Sequence, residues 1–209
     1  VASALQQDGS PPIAYVEQGF AVLGGVAVPE GQERTGMGLE EFPSETADLV
    51  VLRHAWDSRP GLNEILAQAR RVLKPGGVAV TAELDFDRLL NSSTHLYPSR
   101  LQFLAHPELA DAMADRFVDP ADLNIELVRH GFRYVSGFDV DEEAGTFPDH
   151  RSYLEHVRSR GWRTFPELSD EQVEALLVEL GRVLPRIAPL GEVTEREPWQ
   201  VAHGSKPGR

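Results

Sequence analysis

His54 follows the apolar run Leu49-Val50-Val51-Leu52, so a chain that folds this run into a strand delivers an imidazole at the strand's carboxyl end. Open α/β sheets bind ligands at that edge, and a histidine there can act as base toward a hydroxyl or amine. A hydrogen-bonded histidine that orients a loop is the plainer alternative. Arg53, Trp56 and Asp57 share the edge, with Trp56 a candidate for the substrate pocket. Glu83 and Asp85 end the next apolar run, Val78 to Ala82, and form an acidic rim suited to a cation or amine; solvated strand ends give the same pattern. Asp85 is the candidate pocket residue of that rim. Phe147, Tyr153, Trp162 and Phe165 gather further along, where Tyr153 and Trp162 are candidates to line a substrate pocket or simply to fill a core. The remaining histidines are scattered without the paired helical spacing of a zinc motif, and no cysteine exists to supply a thiolate. No metal site is expected.

The elements that position these residues run from Phe42 to Asp85. Leu49 to Leu52 lacks polar alternation, as expected of a strand buried on both faces of a parallel sheet. Pro60 can open a helix, and Leu62, Ile65, Leu66, Ala69, Val72 and Leu73 recur at helical spacing on one face. Lys74-Pro75-Gly76-Gly77 supplies a cation near the helix's negative end, then a residue that cannot continue it and glycines that accept positive φ. Val78 to Ala82 is then a second buried strand, parallel to the first.

A strand entered through Asp48, a helix ending in Arg71-Val72-Leu73-Lys74-Pro75-Gly76-Gly77 and a strand ending in an acidic patch resemble strands four and five of class I S-adenosylmethionine-dependent methyltransferases. The likeness is to the small-molecule branch that includes ubiquinone and biotin pathway enzymes. Ala121 to Phe132 resembles the family's last helix with its Gly-Phe ending, and Trp199-Gln200-Val201-Ala202 before Lys206-Pro207 resembles its final strand. The resemblance implies an α/β, Rossmann-like methyltransferase fold: a mostly parallel sheet with helices on both faces, incomplete at the N-terminus. It implies one domain over 1–209 with a helical cap inserted at 141–195, the cofactor S-adenosylmethionine and a small-molecule substrate. Methyl transfer from a sulfonium chiefly needs orientation and a dry pocket, so no fixed catalytic triad is implied.

Two departures bear on the cofactor. The family's glycine-rich first motif closes the first strand and opens the first helix, and no such motif is present. Gly24-Gly25 lacks a further glycine and a following helix, which leaves close packing as its role. Either the chain starts inside the family's first helix, with Val1 to Gln7 as its end and Ile13 to Val16 as the second strand, or the cofactor half is lost and the scaffold kept. In the first case Glu17 matches the acceptor of the ribose hydroxyls; otherwise it is a surface glutamate. The second departure lies in Met37 to Pro43. Gly38, followed by Leu39, stands where the family has an Asp that reads the adenine, unless Glu40 substitutes. Cofactor binding through Glu17, Gly38, Leu39 and Arg53 is therefore expected to be weak or lost. A non-catalytic binding or assembly module on the same scaffold, or a non-methylating enzyme using the same cleft, are the alternatives.

In the family the first strand lies between the second and fourth. Without it Leu49 to Leu52 loses a neighbour, so either Phe20 to Val28 fills that lane or two copies pair there as a homodimer. Beyond Asp119-Pro120, a good helix start, Tyr134 to Val140 reads as a strand ended by Asp141-Glu142-Glu143. Ser169 and Gln172 form a capping-box pair, Pro185 to Thr194 reads as a loop, and Trp199 to Ala202 as the last strand. A net charge of −13 argues against a nucleic-acid partner. No apolar run approaches the roughly 20 residues of a membrane span and no signal peptide is visible, so a cytoplasmic location without a membrane partner is the expectation.

Overall fold

The computed structural model describes residues 13–17, 20–24, 39–53, 59–93, 97–114, 119–159 and 168–208. The apolar runs pair as one mixed sheet. Its strands are β1 (Ile13–Glu17), β2 (Phe20–Gly24), β3 (Ala47–Arg53), β4 (Leu73–Leu84), β5 (Arg133–Phe147) and β6 (Val193–Ser205), in the order β2-β1-β3-β4-β6-β5. β1, β3 and β4 are parallel neighbours, whereas β2 is antiparallel to β1 and β6 to β4. The expected parallel pairing of Leu49–Leu52 with the strand that follows the helix is present, from Leu49 opposite Val78 to Arg53 opposite Ala82.

The lane beside β3 is filled differently from expectation. Ile13 to Glu17 occupies it, and Phe20 to Gly24 folds back outside, so the apolar run meant for the lane became the outermost strand. A filled lane removes the ground for two copies pairing there. Val26 to Val28 lie outside the described residues.

The chain divides into two units, the first comprising residues 1–84, 117–140 and 199–209 and the second 85–116 and 141–198. In unit 1, α1 (Arg59–Val72) turns Leu62, Leu66, Ala69 and Val72 inward at helical spacing while Asn63, Glu64, Ala67 and Arg70 stay exposed. Those four join Val50 and Leu52 of β3, Ala79 of β4, Ala202 of β6, and Leu123 and Leu127 of α5 (Pro120–Arg129) in one buried cluster. Each fully buried leucine contributes roughly 1.5–3 kcal/mol of transfer free energy. The opposite face of β3 and β4 carries Leu49, Val51, Val78 and Val80, all half-buried, so burial alternates along β3 instead of being complete on both faces.

Lys74 to Gly77, expected as a turn, lies inside β4 as an irregularity. Ala47 pairs with Leu73 and Leu49 with Val78, leaving Asp48 alone opposite the four intervening residues. Glycine is required at its end, because a Cβ on Gly77 would lie 3.0 Å from the carbonyl oxygens of Asp48 and Lys74.

Unit 2 holds α2 (Phe86–Asn91), α3 (Leu101–Ala105), α4 (Pro107–Ala114), α6 (His150–Arg158) and α7 (Asp170–Ile187). The expected capping box is formed: Ser169 Oγ accepts from the Gln172 N–H and Gln172 Oε1 from the Ser169 N–H. Three boundaries differ from the sequence reading. α7 continues through Pro185, which tolerates the last turn. β5 runs on past the acidic triplet to Phe147, and β6 begins six residues before Trp199, at Val193. Alternation of polar and apolar residues in a half-exposed strand hides such extensions.

Candidate functional site

The carboxyl edge of unit 1 is built by parallel strands that end together. Glu17 closes β1 and pairs with Arg53, the last residue of β3; Arg53 pairs in turn with Ala82 of β4, and Ala82 with Val201 of β6. Two residues expected at the cofactor, Glu17 and Arg53, are thus direct cross-strand partners. Arg53 shares a sheet face with Trp199, which pairs with Leu84, and its guanidinium carbon lies 4.3 Å from the centroid of the Trp199 ring. This cation–π contact fixes a long side chain across β4. Trp199 is buried, and its indole N–H has no hydrogen-bond partner among the described residues. On the other face Glu83 is buried, with Oε1 accepting the Leu84 N–H at 3.0 Å. The edge therefore offers a positioned cation, an aromatic ring and a buried carboxylate within one unit.

Other candidates lie elsewhere. Leu39 is buried at the opposite edge of unit 1, with its carbonyl accepting Arg71 Nη2 at 2.8 Å. The sequence placed it beside the cofactor, but its apolar side chain joins the core where β3 begins. Asp85 belongs to unit 2, where its carboxylate caps α2 by accepting the Arg88 N–H at 2.9 Å. Tyr153 is fully buried in unit 2; its hydroxyl donates to Glu195 Oε2 at 2.5 Å and its ring meets Phe147 edge-on at 5.1 Å. His54, Trp56, Gly38 and Trp162 lie outside the described residues.

Sequence reasoning missed Trp199 as a partner of Arg53, since the two are far apart in the chain and meet only through the β3-β4-β6 order. It also missed Glu195. This carboxyl is almost wholly buried in unit 2, accepting from Tyr153 and, at 3.3 Å, from the Ser99 N–H. Burial pushes it up to about 7, against the opposing pull of those two hydrogen bonds. The one available signal was its place two residues after Val193 on the inward face of a strand. Nearby in the same unit, Tyr97 donates to Asp141 at 2.5 Å and Arg88 to the other oxygen of Asp141 at 2.9 Å. Burial and that bond push the Tyr97 hydroxyl up to about 12. No group of three or more metal-ligating side chains occurs among the described residues, and none of their helices is long and apolar enough to cross a membrane.

Residues 27–81 match a family described as methyltransferase domain, a stretch that contains β3, α1 and most of β4. A structure of a putative methyltransferase from an antibiotic biosynthesis pathway of Anabaena variabilis is similar at 17% identity and a TM-score of 0.56, covering 84% of this chain and 74% of that one. A putative methyltransferase of Bacillus halodurans matches at 15% identity and a TM-score of 0.43, over 80% of this chain and 67% of the other. The phosphoethanolamine N-methyltransferase 2 of Haemonchus contortus, bound to phosphomonomethylethanolamine and S-adenosylhomocysteine, matches at 15% identity and a TM-score of 0.39, over 80% of this chain. This chain spans only 35% of that enzyme's length. No curated protein matches the sequence. Residues 27–81 are therefore similar to a methyltransferase domain, and the chain shares the Rossmann-like α/β fold of the Anabaena variabilis structure.

Proposed function

We propose that this chain is an S-adenosylmethionine-dependent methyltransferase-like protein directed at a small molecule, with a cofactor site that the chain itself leaves incomplete. The observation that carries this reading is the reversal at the carboxyl end of β1. In a dinucleotide-type α/β sheet, the chain leaving this central strand opens a helix, whose first N–H groups hold the anionic part of the ligand. Here only two residues separate Glu17 from its antiparallel partner Phe20, so β1 feeds a hairpin. A hairpin supplies no helix N-terminus.

Ile13 to Glu17 takes the lane of the family's first strand and not its second, so Glu17 stands one strand away from the place of the ribose acceptor, and Arg53 and Trp199 define the surface beside it. Among the described residues no helix follows β1 directly to supply donors for the methionine carboxylate, and Gly38 has no side chain to read the adenine. Losing two or three hydrogen bonds, at about 1.5–3 kcal/mol each where a charge is involved, weakens binding by several orders of magnitude.

Calorimetric titration with S-adenosylmethionine and S-adenosylhomocysteine tests this. We expect dissociation constants in the millimolar range or no measurable heat. A micromolar constant would show that the site is complete and the reading wrong.

A further inference from the structure

At the amino edge of unit 1 a cavity of about 380 Å³ is lined by Ser44, Glu45, Arg70, Arg71, His130 and Lys206, together with one alanine. In a chain of net charge −13, three cations here face a single carboxylate. Two of the cations hold main-chain carbonyls. Arg71 donates to Leu39 O at 2.8 Å and Phe42 O at 2.7 Å, and Lys206 Nζ donates to Leu73 O at 2.6 Å.

Arg70 is different. It is exposed and makes no hydrogen bond or ion pair with any described residue, yet its position is defined. A Cβ built on Gly131 would lie 3.3 Å from Arg70 Nε and 3.4 Å from Cζ, so the guanidinium rests against the turn that closes α5. Gly131 also needs its φ of +76°, which glycine alone adopts without strain. The neighbouring His130 reaches Asn63 Oδ1 at 3.1 Å through Nε2.

The opposite wall carries a second sign. Glu45 is one of two described non-glycine residues with positive φ, at +57°. Its N–H is tied to Arg71 O at 3.0 Å, while its carboxylate stays 3.6 Å from Lys206 Nζ, too long for a hydrogen bond. Backbone of this kind persists where surrounding contacts over-determine it, and it gathers at ligand sites.

We propose that this cavity binds a small phosphate-class anion, with Arg70 as the principal ligand and Lys206 and His130 beside it. A guanidinium fork matches phosphate oxygens two at a time, and the anion would take over the loose contact that Glu45 makes with Lys206. The cavity falls in the size range of small-molecule sites, which favours a compact ligand over an acidic protein surface.

Calorimetric titration with inorganic pyrophosphate, and separately with citrate, tests the proposal. We expect saturable pyrophosphate binding that Arg70→Gln weakens about tenfold and Glu45→Gln tightens about threefold. Tighter binding in Glu45→Gln cannot come from misfolding. Arg182→Gln, at an exposed arginine of α7, should change nothing. Absence of saturable binding, binding indifferent to Arg70→Gln, or citrate binding as well as pyrophosphate would each overturn the proposal.

Discussion

At the amino edge of unit 1, Arg71 and Lys206 spend their donors on the carbonyls of Leu39, Phe42 and Leu73, and the main chain is stitched further by Thr46 N–H to Val72 O at 2.8 Å. At the carboxyl edge, Arg53 lies instead on the ring of Trp199 beside the end of β1. The same residue type thus closes backbone hydrogen bonds at one end of the sheet and presents a charged plane at the other. Orphan carbonyls at strand and helix ends must find donors, so an arginine bound to them is committed to stability.

The largest effect that separates the two edges is expected from Arg71→Ala. Two partly buried carbonyls lose their donor, which should cost about 3 kcal/mol in urea unfolding. If that variant were as stable as the parent, the amino edge would not be the holding edge.

Gly77→Ala tests the same edge through the backbone. The new methyl meets two carbonyl oxygens at 3.0 Å and no flexible side chain can clear it from them, so a loss of about 2 kcal/mol is expected by the same measurement.

The comparison extends to unit 2, where burial favours the protonated form of Glu195 against the hydrogen bonds its oxygens accept. Its carboxyl is raised from 4.5 to about 7 in the folded state, so the folded chain binds the extra proton between those values. Stability is then full below about pH 4.5 and falls as pH rises toward about 7, by about 1.4 kcal/mol per pH unit at the steepest. Unfolding midpoints at pH 5 and pH 8, measured for the parent and Glu195→Gln, should differ in the parent and converge in the variant. A parent more stable at the higher pH would reverse the sign and reject this role.

The smallest effect belongs to Arg53→Ala. Its guanidinium leaves the face of Trp199, a contact worth on the order of 1 kcal/mol, so stability should fall by less than in Arg71→Ala. A loss matching that of Arg71→Ala would erase the distinction between the edges.

The β3-α1-β4 crossover was legible because two unalternating apolar runs flank a helix with one apolar stripe, and those patterns have few other solutions. The lane beside β3 was not. Ile13–Val16 and Phe20–Gly24 are both short apolar runs, and which of them pairs with β3 depends on a hairpin turn and on register, to which hydrophobicity is blind. Tyr153 could be read as core or pocket from its type alone, and only the Glu195 carboxylate, 42 residues further on, decides that its hydroxyl is buried and paired. Arg53 was found by its place after an apolar run, whereas its partner Trp199 needed the strand order.

The reversal after β1 is the point on which the proposed incompleteness of the cofactor site rests, and cross-strand nuclear Overhauser effects read it most directly. We expect Tyr15 to show contacts both to Val51 of β3, in parallel register, and to Val22 of β2, in antiparallel register. Sequential amide–amide contacts of a helix through Phe20 to Gly24, with no contact between Tyr15 and Val22, would contradict it and restore a helix at the cofactor's carboxylate.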